Sequence, residues 1–193
     1  TADASMWYFY AVGKYLEYTG TPEDYAFVQE TIYPKLKEII AAYEHGTDFS
    51  IYMEEDGLIH AGSGLDQVTW MDVRVGDWVA TPRHGKPVEI NALWYNALMF
   101  NADMLMSAGR SDDAEKCSAL AEKVGASFKE VFLNEHGYLL DYVDGDYISW
   151  SVRPNMLVAS SLEYSPLSVP ERKKILDICT KELLTPMGIR ELS

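Results

Sequence analysis

Between Gln67 and Leu98 the chain reads QVTWMDVRVGDWVATPRHGKPVEINALWYNAL, with acids set beside tryptophans. Asp72 follows Trp70 and Met71 and precedes Val73, and Asp77 precedes Trp78. Apolar surroundings disfavour the charged form of a carboxyl, and a carboxylic acid kept protonated near neutral pH can act as a general acid. Asp72 is a candidate for that role. The simpler reading is an aspartate that caps a turn or pairs with Arg74, and Asp77 also reads as a turn residue. Arg83 lies in TPRHGKP, where two prolines and a glycine fix the course of the loop. Its planar fork can hold a carboxylate or hydrogen-bond ligand hydroxyls, or it is an ordinary loop arginine. His84 reads as exposed. Glu89 falls in the first turn of a helix, where the helix dipole favours a carboxylate in any case.

Trp7, Trp70, Trp94 and Trp150 offer flat faces on which sugar rings stack, although each taken singly also suits core packing. No Gly-rich phosphate loop, HExxH or serine nucleophile elbow is present, so neither a cofactor nor a metal is expected. Carboxylates with aromatics and no metal fit glycoside hydrolysis, in which two carboxylates flank the scissile bond.

The elements that must position these residues read as three helix pairs. ASMWYFYAVGKYLEYTG is apolar on almost every face and is expected to be a buried helix ending near Gly20. The next helix starts at Thr21 as N-cap with Pro22 at the first helical position, and Pro34 should kink or split it. PVEINALWYNALMFNADMLMSAG is again apolar nearly all round, and its Asn91, Asn96 and Asn101 must find partners. The helix after it is amphipathic, with Ser111 expected as its cap. A third pair is MLVASSLEYS followed by a helix capped by Ser168, with Glu171 three residues on. Long loops enter the greasy helices at their N-terminal ends, and FSIYMEEDGLIHAG forms a short hairpin around Asp56-Gly57. Greasy and amphipathic helices in alternation predict an inner layer backed by an outer one, with the site at one end. Asp72, Trp70, Arg83 and Glu89 are expected to share one pocket there. Three pairs make an arc, so further helices are expected from a longer parent chain.

With 193 residues, 48% of them hydrophobic, the chain can bury a substantial core. The 16 basic and 30 acidic residues leave a net charge of −14. That balance argues against nucleic acid and anionic membranes as partners, and it is compatible with a neutral sugar. Cys117 and Cys179 are the two cysteines; they read as small core residues in a reducing compartment rather than as a disulfide framework or zinc site.

Four stretches, TADASMWYFYAVGKY, QVTWMD, ATPRHGKPVEINALWYNAL and SWSVRPNMLVA, occur in this order. Together they resemble the glucosidase domain of glycogen debranching enzymes, the amylo-alpha-1,6-glucosidases, over essentially the whole chain. The resemblance implies an all-α fold of (α/α)6 toroid type, here a partial barrel of about three helix pairs spanning residues 1–193, with long loops and short β-hairpins. It also implies hydrolysis of the alpha-1,6-linked glucose at glycogen branch points with inversion, on glycogen or limit dextrin, in the cytoplasm. Asp72 of the TWMD motif would be the general acid. Asp3, Trp7, Arg83, Glu89, Trp94 and Arg153 would line the glucose site, with Trp70 beside the acid. The family's general base lies in a later motif that this chain lacks, so the chain is expected to be a piece of a larger enzyme and inactive alone. Trehalases and glucoamylases share the architecture, so another alpha-glucosidase or a trehalase-like hydrolase is the alternative enzyme. A helical-repeat scaffold or a non-catalytic sugar-binding module is the alternative outside catalysis. The long, unequal, Trp-rich loops count against the repeat scaffold.

Overall fold

The computed structural model describes all residues, Thr1–Ser193. The fold is all-α, with a few short antiparallel strand pairs in the loops. Helix α1 (Ala2–Thr19) stops at Gly20, whose left-handed φ of 61° suits a residue without a Cβ. Helix α2 (Pro22–Phe27) opens on a complete capping box between Thr21 and Asp24. The chain then runs unbroken through a π-helical turn (Val28–Ile32) into α3 (Tyr33–His45). Pro34 was expected to kink or split this helix. The helix widens by one residue just ahead of the proline, where the π turn separates α2 from α3 and the Tyr33 N–H reaches back to the Val28 carbonyl.

Strands β1 (Tyr52–Met53) and β2 (Ile59–His60) form the expected hairpin around Gly57. A second hairpin pairs β3 (Arg74–Val75) with β4 (Trp78–Val79), and β5 (Lys86–Pro87) leads into helix α4. Helix α4 (Val88–Ser107) buries 15 of its 20 residues, as its all-round apolar sequence requires. It packs against α5 (Ser111–Phe132), α1 and α6 (Asn155–Ser161). Helix α5 turns Ala121, Val124, Phe128 and Phe132 inward. Its N-cap is Arg110 rather than Ser111; no side-chain cap forms, and Arg110 pairs with Asp113 one turn on. Between α5 and α6, β6 (Tyr142–Asp144) pairs with both β5 and β7 (Tyr147–Ile148). Helix α7 (Val169–Leu183) packs on α6 and carries the second capping box, Ser168 with Glu171. The hairpin of β8 (Leu184–Thr185) and β9 (Gly188–Ile189) follows.

A core of 39 buried apolar residues joins these elements. Tyr43 of α3 stacks on Trp94 of α4 with ring centroids 6.1 Å apart, and its hydroxyl donates to the Ala2 carbonyl. Helix α1 departs from expectation. Its sequence is apolar on almost every face, yet Trp7, Tyr8, Tyr15 and Tyr18 are exposed, because α4 covers it along one side only. Cys117 and Cys179 are free thiols packed in or against the core, and burial pushes the Cys179 thiol up to about 11. No helix is long and apolar enough to cross a membrane.

Candidate active site

Helices α1, α4 and α6 begin at one end of the helical layer, and hydrogen bonds tie their N-termini to loops from other parts of the chain. The Ala2 N–H donates to the Val68 carbonyl at 2.7 Å, and the Val88 N–H donates to the Asp141 carbonyl at 3.0 Å. At the head of α6, Asn155 reaches both Trp70 and Asp141. Asp3, Trp70, Asp72, Arg83, Glu89 and Arg153 lie around these three junctions.

Asp72 closes the turn Val68–Asp72 with its own side chain. Oδ2 accepts from the Val68 and Thr69 amides, both at 2.7 Å, and Oδ1 accepts from the Thr69 hydroxyl at 2.9 Å. The turn-capping reading therefore describes its hydrogen bonds. Pairing with Arg74 is not among them, since Arg74 Nε donates to the Gly76 carbonyl at 2.6 Å. The carboxyl is half-buried, while Trp70 is 50% exposed. Asp77 and Trp78 sit exposed at the tip of the β3–β4 hairpin, which is the turn-residue reading of Asp77.

Behind this turn lies a buried ion cluster. Arg83 donates through Nη1 and Nη2 to the two oxygens of Glu89. It also donates to both carboxylate oxygens of Asp141, from Nε at 2.9 Å and from Nη2 at 3.0 Å. Arg83 and Glu89 are each 1% exposed. Arg153 Nε approaches Asp141 Oδ2 at 3.4 Å, so two guanidinium groups balance two carboxylates. Burial opposes the charge on Arg83, but the Glu89 and Asp141 carboxylates more than offset this and hold its pKa above the ordinary arginine value. Gly85 makes the cluster possible. It has φ 82°, and a Cβ there would fall 2.4 Å from the Val143 carbonyl oxygen, so only glycine lets the 83–87 segment lie this close to β6.

One pocket shared by Asp72, Trp70, Arg83 and Glu89 was the expectation; the structure sets Arg83 and Glu89 in the buried cluster behind the Asp72 turn. Arg83 and Glu89 satisfy each other and Asp141 beneath the surface, so neither presents polar atoms to an open cavity. Trp94 is buried completely in the core, where its indole N–H donates to the Gly57 carbonyl at 3.1 Å; it lines no site. His84, read as exposed, is half-buried with Nε2 against the Asp66 carbonyl. Asp3 is buried in the first turn of α1, with Oδ1 lacking any hydrogen-bond partner. Trp7, four residues on, shares its helix face and is exposed. A groove of about 460 Å³ lies between the C-terminal halves of α1 and α4 and is lined by Leu16, Tyr25, Phe100 and Tyr164. It is remote from Asp72.

Sequence reasoning missed two residues at this end, Asp141 and Asn155. Asp141 was visible as a lone acid inside LLDYV, an apolar run in which a charge needs a partner. Asn155 directly follows Pro154 at the head of a helix whose other residues are small or apolar.

The model of the amylo-alpha-1,6-glucosidase family matches residues 1–193 of the chain. The chain belongs to the amylo-alpha-1,6-glucosidase family. No curated protein matches it. Membership in the amylo-alpha-1,6-glucosidases points to a glycoside-hydrolase-related function in glycogen debranching and to an alpha-glucan as the kind of substrate. It agrees with the all-α fold and the short β-hairpins of the loops.

Proposed function

We propose that this chain supplies the general acid of an inverting hydrolase that removes the alpha-1,6-linked glucose at glycogen branch points, and that Asp72 is that acid. The observation that carries the reading is the state of the Asp72 carboxyl. Both amides of the turn are spent on Oδ2, which leaves Oδ1 as the oxygen that can bear a transferable proton. Its one partner there is the Thr69 hydroxyl, which can accept as well as donate. On this reading Oδ1 is the oxygen that would face the sugar.

Trp70, half-exposed and anchored through its indole N–H, would stack on a sugar ring beside Asp72. Trp7 would provide a second face, and a substrate hydroxyl reaching the head of α1 would give Asp3 Oδ1 the partner it lacks. Arg83, Glu89 and Arg153 act behind this surface, as the frame of the site. Inversion also needs a base that activates water on the opposite face of the sugar; we keep that role outside these 193 residues, as the family resemblance implies. Another alpha-glucosidase or a trehalase-like hydrolase would use the same acid on a different linkage.

The stereochemical course tests this reading. The full-length protein is mixed with a branched limit dextrin and the anomer of glucose first released is followed by proton NMR. Beta-glucose appearing before mutarotation supports inversion at an alpha-1,6 linkage. Alpha-glucose first, or cleavage confined to another linkage, overturns it.

A further inference from the structure

We propose that Asn155 is a positioning residue that couples the buried ion cluster to the Asp72 turn. The proposal rests on the reading of Asp72 as general acid. The Val68–Asp72 turn orients the Asp72 carboxyl internally, but its own hydrogen bonds do not orient the turn against the rest of the molecule. The turn's backbone is held by the Ala2 N–H on the Val68 carbonyl and by the Thr81 hydroxyl on the Met71 carbonyl, and Asn155 adds the side-chain contacts from the head of α6. Its Oδ1 accepts from Trp70 Nε1 at 2.9 Å, while Nδ2 donates to Asp141 Oδ1 at 2.7 Å and contacts Met71 Sδ at 3.1 Å. The amide's orientation follows from its partners, since an indole N–H can only donate and an ionised carboxylate can only accept. The side chain, 1% exposed, thus grips the two residues immediately before Asp72.

The far side of that grip is rigid. Asp141 is fixed by Arg83 through three hydrogen bonds, and Arg83 is fixed by Glu89 at the head of α4. A displacement of Trp70 and Met71 would carry the Asp72 carboxyl with it, and a shift of about 1 Å in a reacting group can cost about 10²-fold in rate. Asn155 touches neither the proton nor the sugar in this account. It sets where the proton donor stands and which way the Trp70 face is turned.

The test uses the full-length protein and two substrates, an alpha-1,6-glucosyl oligosaccharide, whose leaving group needs a proton, and alpha-glucosyl fluoride, whose leaving group does not. For Asn155→Ala the expected result is a kcat loss of about 10²-fold on the oligosaccharide and a much smaller loss on the fluoride. Trp70→Phe keeps an aromatic ring on an exposed loop, though a smaller one, and removes the indole N–H, so it breaks the same link without opening the core. It is expected to lower the oligosaccharide-to-fluoride ratio in the same direction. Asn155→Ala added to Trp70→Phe should then cost less than it does alone. A purely structural asparagine would lower both substrates equally, in step with melting temperature, and that result overturns the proposal. So does an unchanged ratio in Trp70→Phe. If Asp72→Asn itself leaves the oligosaccharide rate intact, the general-acid reading fails first; a collapse in Asp72→Asn with an unchanged ratio in both Asn155→Ala and Trp70→Phe refutes the positioning role alone.

Discussion

Arg83 and Glu89 are joined guanidinium to carboxylate in a two-pronged pair, with each side chain 1% exposed. Asp141 completes the arginine's set of acceptors. A buried pair of this kind is stable only while its hydrogen bonds are complete, because desolvation of each charge costs several kcal/mol.

Replacing Arg83 should therefore destabilise the protein far more than a loop arginine would. For Arg83→Met the expected loss is about 3–5 kcal/mol, the cost of leaving carboxylates buried without a counter-charge. Arg83→Lys should rescue little, since one ammonium cannot span two carboxylates with a planar fork. Urea unfolding of the three proteins checks this. A wild-type midpoint in Arg83→Lys would show that charge alone, rather than geometry, holds the cluster.

Trp94 separates core from site. Trp94→Phe removes the hydrogen bond to the Gly57 carbonyl and alters the stack on Tyr43. The expected cost is about 1–3 kcal/mol of stability, from the buried carbonyl left unpaired, with KM for the glucan unchanged. A raised KM with wild-type stability would return Trp94 to the sugar site.

The capping box of α2 titrates in a measurable window. The Thr21 hydroxyl and the Tyr15 phenol both bond the Asp24 carboxylate and hold its pKa down at about 2, below the ordinary value of 3.8. A depressed carboxylate pKa favours the folded state above the unfolded-state value, and this contribution fades as pH falls from there through about 2. Carbon-detected NMR titration of Asp24 should show the low midpoint, and Thr21→Ala should raise it. An Asp24 midpoint near 4 in the unaltered protein would contradict the assignment.

The parts legible in the sequence were those decided locally. Thr21 with Asp24 and Ser168 with Glu171 announce helix starts because a capping box closes within four residues. The apolar run of α4 declares its burial, and Asp56-Gly57 declares its hairpin. What the sequence hid depends on partners far along the chain. Arg83 meets Asp141 across 58 residues and Asn155 meets Trp70 across 85, and no spacing rule marks such pairs. Local pattern also misled at α1, where apolar composition suggests burial but α4 covers one side and four aromatic rings stay exposed. At Pro34 it suggested a kink or split, and a π-helical turn stands there between α2 and α3. Asp72 was legible as a residue of interest, yet the sequence could not show that the turn places two amides on Oδ2 and only the Thr69 hydroxyl on Oδ1.

The most direct measurement of the central claim is the rate of Asp72→Asn on two substrates in the full-length protein. The substitution keeps the side chain's size and removes the proton donor. General acid transfer contributes about 10²–10⁴-fold, so turnover of an alpha-1,6-glucosyl oligosaccharide should collapse by that order while alpha-glucosyl fluoride keeps most of its rate and glucan binding is nearly unchanged. A turn cap alone predicts the reverse, a loss of about 0.5–2 kcal/mol in stability by analogy with helix caps with both substrates hydrolysed normally until the protein melts. That second pattern would contradict the assignment of Asp72 as the acid.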